Sequence, residues 1–259
     1  MTITWPFWNE KRISDVYENI YIRTFVEDWF KIASTLAKEI NSVKVENKLI
    51  LDIGCGEGHT TKQILDRVKG NYVCDLLETD NVALEKANKF LKMENNVGEV
   101  IYGGVEIVNI SEKYDVIYTS HTNYYWSDNK EQYDLYLENI LDTVKKKGKL
   151  LILTLPEKSA HYQVMLHQIY PKYNYSEYIE NFYRNMGLKV NVKKFVMRIY
   201  IGDILETDKE YDLAVFYKFI HNTSAFPDKN KLSKFKNKLK KFSDKGYLDF
   251  GDHLIIVSK

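Results

Sequence analysis

Residues 49–58 read LILDIGCGEG. The apolar start of this stretch predicts a short buried β-strand, and the glycines at every second position predict a tight loop that leads into a helix. Glycine tolerates positive φ angles and, because it has no side chain, lets a ligand touch the backbone. The spacing is not the Gly-x-Gly-x-x-Gly of pyrophosphate-binding loops, and the Asp52 carboxylate would be unfavourable beside a phosphate. The loop therefore suits a ligand that carries an ammonium group.

The segments around this loop alternate between predicted strands and helices. We expect strands at 48–53, 71–77, 99–102, 114–119 and 149–155, and helices at 9–40, 59–69, 81–93 and 130–146. This alternation is typical of a parallel sheet with helices on both faces, in which ligands bind beyond the carboxyl ends of the strands. After residue 155 the pattern predicts helices at 159–186, 211–220 and 229–242 and strands at 189–201 and 253–258.

The stretch from Asp52 to Gly58 closely resembles the first motif of the class I, or Rossmann-like, S-adenosylmethionine-dependent methyltransferases. The resemblance extends to residue 155, and beyond it only the order of elements is similar. It implies an α/β fold with a seven-stranded, mostly parallel sheet, one antiparallel strand near 253–258, and helices on both faces. It also implies one methyltransferase domain over 1–259. That domain would comprise a helical lid (1–45), a cofactor-binding core (46–155), and substrate-side helical insertions after strands 5 and 6 with the C-terminal strands (156–259).

The resemblance also implies which residues hold the cofactor. In the family this loop contacts the methionine part of S-adenosylmethionine, which assigns Asp52, Gly54, Cys55 and Gly56 to it. An acidic residue after the second strand binds the ribose hydroxyls. Glu78 takes that role, with Thr79 beside it, because Leu84 and Ala87 follow at the spacing of the family, whereas Asp80 is better suited to capping the next helix.

The third strand departs from the family, which often has an acidic residue near the adenine. Gly104 stands at that place. Adenine recognition therefore falls either to the backbone around Val105 or to Glu106.

Residues 114–126 resemble the fourth motif of small-molecule methyltransferases, whose strand ends beside the sulfonium, here at Ser120. They lack the Asn/Asp-Pro-Pro-aromatic motif of enzymes that methylate exocyclic amino groups of bases. The aromatic pair near a histidine is similar to histamine N-methyltransferase-like enzymes. His121 is the candidate catalytic base, the alternative being a histidine that only hydrogen-bonds the loop or the cofactor. Five aromatic residues are candidates for the acceptor pocket, with core packing as the alternative: Tyr17, Tyr21, Tyr124, Tyr125 and Trp126.

Composition narrows the possible partners. The 37 Lys and Arg residues nearly balance the 36 Asp and Glu residues, so we expect neither a nucleic-acid nor a membrane partner. The lysine-rich segment 229–245 predicts an amphipathic helix with a solvated basic face, and RNA methylation stays a minor alternative. Two cysteines and no signal peptide favour the cytoplasm, and no residue spacing predicts a metal site.

The sequence thus predicts an enzyme that methylates nitrogen or oxygen of a small polar metabolite and acts as a monomer or homodimer. One alternative is O-methylation of a sugar- or nucleotide-linked acceptor in a surface-polysaccharide or natural-product pathway. A second is a non-catalytic regulator that binds S-adenosylmethionine without turnover.

Overall fold

The computed structural model describes residues 26–91, 96–108, 111–159, 171–206, 210–221, 225–249 and 251–259. The chain divides into two compact units. One comprises Trp29–Thr154, Tyr173–Lys194 and His253–Lys259, and we call it the sheet unit because it holds the large sheet. The other includes Phe195–Asp252 and is described separately.

Strands and helices alternate through the first half of the chain. The strands are β1 (Lys48–Ile53), β2 (Tyr72–Glu78), β3 (Val97–Tyr102), β4 (Tyr114–Ser120), β5 (Val144–Thr154), β6 (Lys189–Phe195), β7 (Arg198–Tyr200), β8 (Ser243–Asp244), β9 (Tyr247–Asp249) and β10 (Asp252–Ser258). The helices are α1 (Val26–Ser42), α2 (His59–Leu65), α3 (Asn81–Leu91), α4 (Lys130–Thr143), α5 (Ser176–Asn185), α6 (Glu210–His221) and α7 (Lys229–Phe242).

The large sheet has seven strands in the order β3-β2-β1-β4-β5-β10-β6. Neighbouring strands from β3 to β5 run parallel, and β10 runs antiparallel to β5. This arrangement confirms the predicted Rossmann-like fold, including the antiparallel strand near 253–258. The order of strands reverses between β1 and β4, so the carboxyl ends of these two strands flank the place where such sheets bind ligands.

Both faces of the sheet are covered. Three consecutive residues of β4, Val116, Ile117 and Tyr118, are fully buried. Because successive side chains of a strand point to opposite faces, three buried residues in a row require packing on both sides.

Helix α1 is attached to the sheet by a half-buried charge cluster. The Glu39 carboxylate accepts hydrogen bonds from Lys149 and Lys193, each at 2.6 Å. Burial raises the pKa of Glu39, but the two ammonium groups together lower it by more, so the pKa is below its usual value. At its other end α1 brings the Trp29 ring to 6.3 Å from the His121 ring. The helix therefore runs along the sheet from the carboxyl ends of the strands towards their amino ends.

Several predicted boundaries are wrong. The helix predicted at 159–186 begins, within the described residues, only at Ser176, after a short 3-10 turn at Lys172–Asn174. The helix predicted at 130–146 ends at Thr143, because Val144 is already extended and pairs with Tyr114 of β4. The lysines that follow are good helix formers, yet this tertiary pairing overrides their preference. The strand predicted at 189–201 is two strands, and the second, β7, pairs with β9 in another sheet.

The second unit contains a three-stranded antiparallel sheet in the order β7-β9-β8, which the sequence did not predict. Helices α6 and α7 pack through Phe216 and Phe235, whose ring centroids are 5.9 Å apart. Asp228 caps α7 by accepting a hydrogen bond from Lys231 N at 2.8 Å. Across the described ranges, no helix has the length and apolar character that crossing a bilayer requires.

Candidate functional site

Gly54 turns the chain sharply at the end of β1. Its φ is +78°, and its N–H donates to the Leu77 carbonyl of β2 at 2.7 Å. A Cβ at this position would lie 2.2 Å from Cγ2 of Thr122, which follows β4. The glycine is therefore required by packing as well as by backbone conformation, and it lets three segments meet at one point.

Gly56 differs because the space beside it is open. Its φ is +54°, and a Cβ there would meet no atom of the described residues within 4 Å, the two chain neighbours apart. Its N–H donates to Oε2 of Glu78 at 2.9 Å. Between the two glycines, burial first and then the Asp52 and Glu78 carboxylates raise the pKa of the Cys55 thiol. Cys55 thus stays a neutral thiol, and it offers the loop only its backbone and a small side chain.

Glu78 is held at the loop by backbone donors. Besides Gly56, its carboxylate accepts hydrogen bonds from Thr79 N at 2.7 Å, Thr79 Oγ1 at 3.1 Å and Asp80 N at 3.1 Å. Asp80 caps α3, since its Oδ1 accepts hydrogen bonds from Val82 N at 2.8 Å and Ala83 N at 3.2 Å. The capping role expected of Asp80 is therefore confirmed, and Glu78 faces the loop instead.

Asp52 is the buried carboxylate beneath the loop, with 3% of its surface exposed. Its Oδ2 accepts hydrogen bonds from Thr61 Oγ1 at 2.6 Å and Tyr118 OH at 2.7 Å. Burial raises the pKa of Asp52 to about 7, the two hydroxyls lower it, and the charge of Glu78 raises it again. Two carboxylates thus flank the loop, an arrangement that favours a cationic ligand.

The turn after β3 carries the two candidates for adenine recognition. Val105 is buried, whereas Glu106 is exposed and accepts a hydrogen bond from Gly104 N at 3.1 Å through Oε1. A Cβ on Gly104 would lie 2.2 Å from Glu106 Oε2. The Glu106 carboxylate therefore occupies the place where a side chain at position 104 would begin.

The end of β4 presents Ser120 and His121. Ser120 is half-buried, and His121 N donates to the Leu153 carbonyl of β5 at 2.9 Å. His121 has a φ of +57°, an unfavourable value for a residue with a Cβ. Backbone strain of this kind is concentrated at functional sites in proteins. The strained turn aims the imidazole towards Trp29 and Tyr124, each with its ring centroid 6.3 Å from that of His121.

The predicted pocket aromatics take different positions. Tyr124 is buried and makes an edge contact with Tyr125 at 4.7 Å. The Trp126 ring packs on the Tyr133 ring, with the centroids 5.9 Å apart, and against the core. For Trp126 the structure therefore shows core packing, the alternative to a pocket role. The structure therefore brings Tyr124 close to His121, places Tyr125 against Tyr124 and directs Trp126 inward. Tyr17 and Tyr21 lie outside the described residues.

Several side chains that organise this site were not predicted. Asn123 Nδ2 donates to the Asn174 carbonyl at 2.6 Å, and Asn174 Nδ2 donates to the Tyr124 carbonyl at 3.1 Å. This reciprocal pair ties the loop after β4 to the segment before α5. Thr61, Tyr118 and Thr122 were also missed, because their contacts depend on strand register and loop packing. In the part of the chain that the structure describes, no three His, Cys, Asp or Glu side chains cluster as a metal site would require.

Comparison with known proteins adds four likenesses: one family, one relative and two solved structures. Residues 50–148 match a family described as methyltransferase domain. A malonyl-[acyl-carrier protein] O-methyltransferase of Calditerrivibrio nitroreducens is 27% identical over 110 residues, which are 42% of this chain and 39% of that protein. The chain thus spans well under half of this relative's length.

Two solved structures show the same fold. The YcgJ protein from Bacillus subtilis superposes with a TM-score of 0.61 and 14% identity, covering 87% of this chain and 97% of that one. The N-methyltransferase NodS from Bradyrhizobium japonicum gives a TM-score of 0.55 and 11% identity, covering 91% of this chain and 98% of that one.

Proposed function

We propose that this chain, which belongs to the class I S-adenosylmethionine-dependent methyltransferases, methylates nitrogen or oxygen of a small polar metabolite. S-adenosylmethionine is its methyl donor, and S-adenosylhomocysteine is the product left by transfer. The proposal includes the identity of the acceptor and the assignment of the site residues. It also includes a cytoplasmic location, which the two buried, unpaired cysteines favour.

The residues present fit this cofactor. The open space beside Gly56 would admit the ligand against the backbone, and the acidic pair Asp52 and Glu78 would favour its ammonium and sulfonium charges. Glu78 already accepts four hydrogen bonds at the loop, so its oxygens are placed to accept ribose hydroxyls instead. Glu106 would accept a hydrogen bond from the adenine amino group, with the Val105 backbone beside it.

When bound, the cofactor supplies a methyl group on a positively charged sulfur. The protein then has two tasks: to hold the acceptor in line with that methyl group, and to remove a proton from it. His121 would take the proton, because an imidazole exchanges protons near neutral pH. Tyr124 and Tyr125 would border the acceptor, and an aromatic face attracts an ammonium group by about 0.5–2 kcal/mol.

One observation carries the proposal: the imidazole of His121, at the carboxyl end of β4, lies beside aromatic rings on the side of the sheet where the glycine loop lies. Methylation of an oxygen on a linked sugar or nucleotide is the second candidate. An O-methyltransferase among the relatives favours oxygen, and NodS, an N-methyltransferase of the same fold, keeps nitrogen open.

The test has two stages. Isothermal titration with S-adenosylhomocysteine comes first and should show binding by the wild-type protein. Mass spectrometry of products from a panel of amines, phenols and activated sugars follows, with His121→Ala as the comparison. A gain of one methyl group on an amine or hydroxyl, lost in the variant, supports the proposal. Binding without a product from any acceptor favours the regulator alternative instead.

A further inference from the structure

We propose that Tyr118 and Thr61 are positioning residues of the cofactor site: they hold the ionised Asp52 carboxylate so that its second oxygen accepts the ammonium group of the cofactor. The inference rests on the proposed assignment of Asp52 to the methionine part of the cofactor. Neither Tyr118 nor Thr61 is proposed to touch the cofactor. They act through Asp52.

The register of the sheet brings Tyr118 to Asp52. The two residues are partners in the parallel pairing of β1 with β4. Side chains at the same register of neighbouring strands point to the same face, so the phenol of Tyr118 lies alongside the carboxylate. Thr61 reaches the same place from α2, which follows the glycine loop, and it is fully buried. The carboxylate is therefore held from two elements, the neighbouring strand β4 and the helix α2.

Both hydroxyls bond to the same oxygen. Thr61 and Tyr118 donate to Oδ2, at 2.6 Å and 2.7 Å. Each hydroxyl has one proton and an ionised carboxylate only accepts, so the direction of both bonds is fixed. Among the described side chains no hydroxyl donates to Oδ1. Oδ1 is thus the oxygen available to a ligand.

Among the described residues, no cation faces the Asp52 carboxylate. The titratable groups that face it are Tyr118 of β4, Cys74 and Glu78 of β2, and Cys55 of the loop. Each of these is either neutral or negative, and burial places the carboxylate away from water. An ionised Asp52 therefore has hydrogen bonds but lacks an ion-pair partner, which an ammonium group would supply.

This arrangement makes cofactor affinity depend on pH. Burial raises the pKa of Asp52 to about 7, so below that pH most of the free protein carries a protonated Asp52. Because the ammonium group needs the ionised form, the dissociation constant should fall about tenfold per pH unit until Asp52 is ionised, and then level off. Loss of one hydroxyl donor destabilises the ionised form more than the protonated form, because a hydrogen bond to a charged oxygen is the stronger one. The pH at which the dissociation constant stops falling should then rise by about one to two units.

The experiment is isothermal titration with S-adenosylhomocysteine across about pH 5.5 to 8.5. The ligand keeps its ammonium group over this range, because the carboxylate on the same carbon favours the charged form relative to a peptide N-terminus. The proteins are wild type, Tyr118→Phe, Thr61→Val and Asp52→Asn. Titration in two buffers with different ionisation enthalpies gives the number of protons released on binding. Tyr183→Phe is the matched control, since Tyr183 is equally buried but donates to the Leu137 carbonyl at 3.0 Å rather than to a carboxylate.

We expect wild type and Tyr183→Phe to share one pH profile and to release about one proton per ligand at the acidic end. Tyr118→Phe and Thr61→Val should be weaker at acidic pH and approach wild-type affinity at the alkaline end, and Asp52→Asn should bind weakly with a flat profile. Should one of the two hydroxyl variants not fold, the other carries the test. Equal weakening at every pH, or a flat wild-type profile, overturns the inference while leaving the cofactor assignment intact. Absence of binding by wild type at every pH overturns both.

Discussion

Replacing Asp52 by asparagine should stabilise the protein at alkaline pH. The wild-type carboxylate is buried, and its pKa is raised from 3.8 to about 7. A raised carboxyl pKa means that the folded protein binds more protons than the unfolded chain between these values. Stability from this group is therefore fully present below about pH 4 and is lost as pH rises through about 7. The difference corresponds to about 4 kcal/mol, an upper figure because buried sites relax.

Asparagine does not ionise, and its side-chain oxygen still accepts from Thr61 and Tyr118. Any constant cost of the amide is the same at every pH, so the change of stability with pH isolates the titration of Asp52. Urea unfolding of wild type and Asp52→Asn at about pH 5 and pH 8 measures this. Relative to wild type, the variant should gain up to about 2.6 kcal/mol of stability between the two conditions, because only the two pH units from 5 to 7 contribute, at about 1.4 kcal/mol each. Parallel pH profiles for the two proteins would refute the assigned environment of Asp52.

Three further predictions address the loop and the acceptor side. Gly54→Ala should lose at least about 2 kcal/mol of stability in urea unfolding, because its Cβ would lie 2.2 Å from Thr122 Cγ2. Gly56→Ala, where the space is open, should lose only about 1 kcal/mol. Equal losses in the two variants would contradict the packing argument. Glu78→Gln should raise the dissociation constant of S-adenosylhomocysteine by roughly 10–100-fold in isothermal titration, since hydrogen bonds to a charged group contribute about 1.5–3 kcal/mol; an unchanged constant would remove Glu78 from the ribose site. His121→Ala should lower kcat at least about tenfold at neutral pH while binding S-adenosylhomocysteine normally, and an equal loss of binding would indicate a structural role.

Local sequence patterns predicted much of the fold and the position of the site. The glycine loop, the strands on either side of it and the cap at Asp80 depend on residues close together in the chain. The contacts around Asp52 depend on which residue of β4 stands opposite β1, and nothing in the sequence of either strand specifies that Tyr118 pairs with it. The small sheet was missed for the same reason, since β7 pairs with β9, some fifty residues later. The tie between Asn123 and Asn174 also joins residues far apart in sequence.

The central claim is that the backbone from Asp52 to Gly56 and the carboxylate of Glu78 together form the cofactor site. A crystal structure with S-adenosylhomocysteine tests it most directly. Both ribose hydroxyls should donate to Glu78, the ligand should pass beside Gly56, and its sulfur should face Ser120 and His121. A ligand bound elsewhere, or a Glu78 side chain turned away from the ribose, would contradict it.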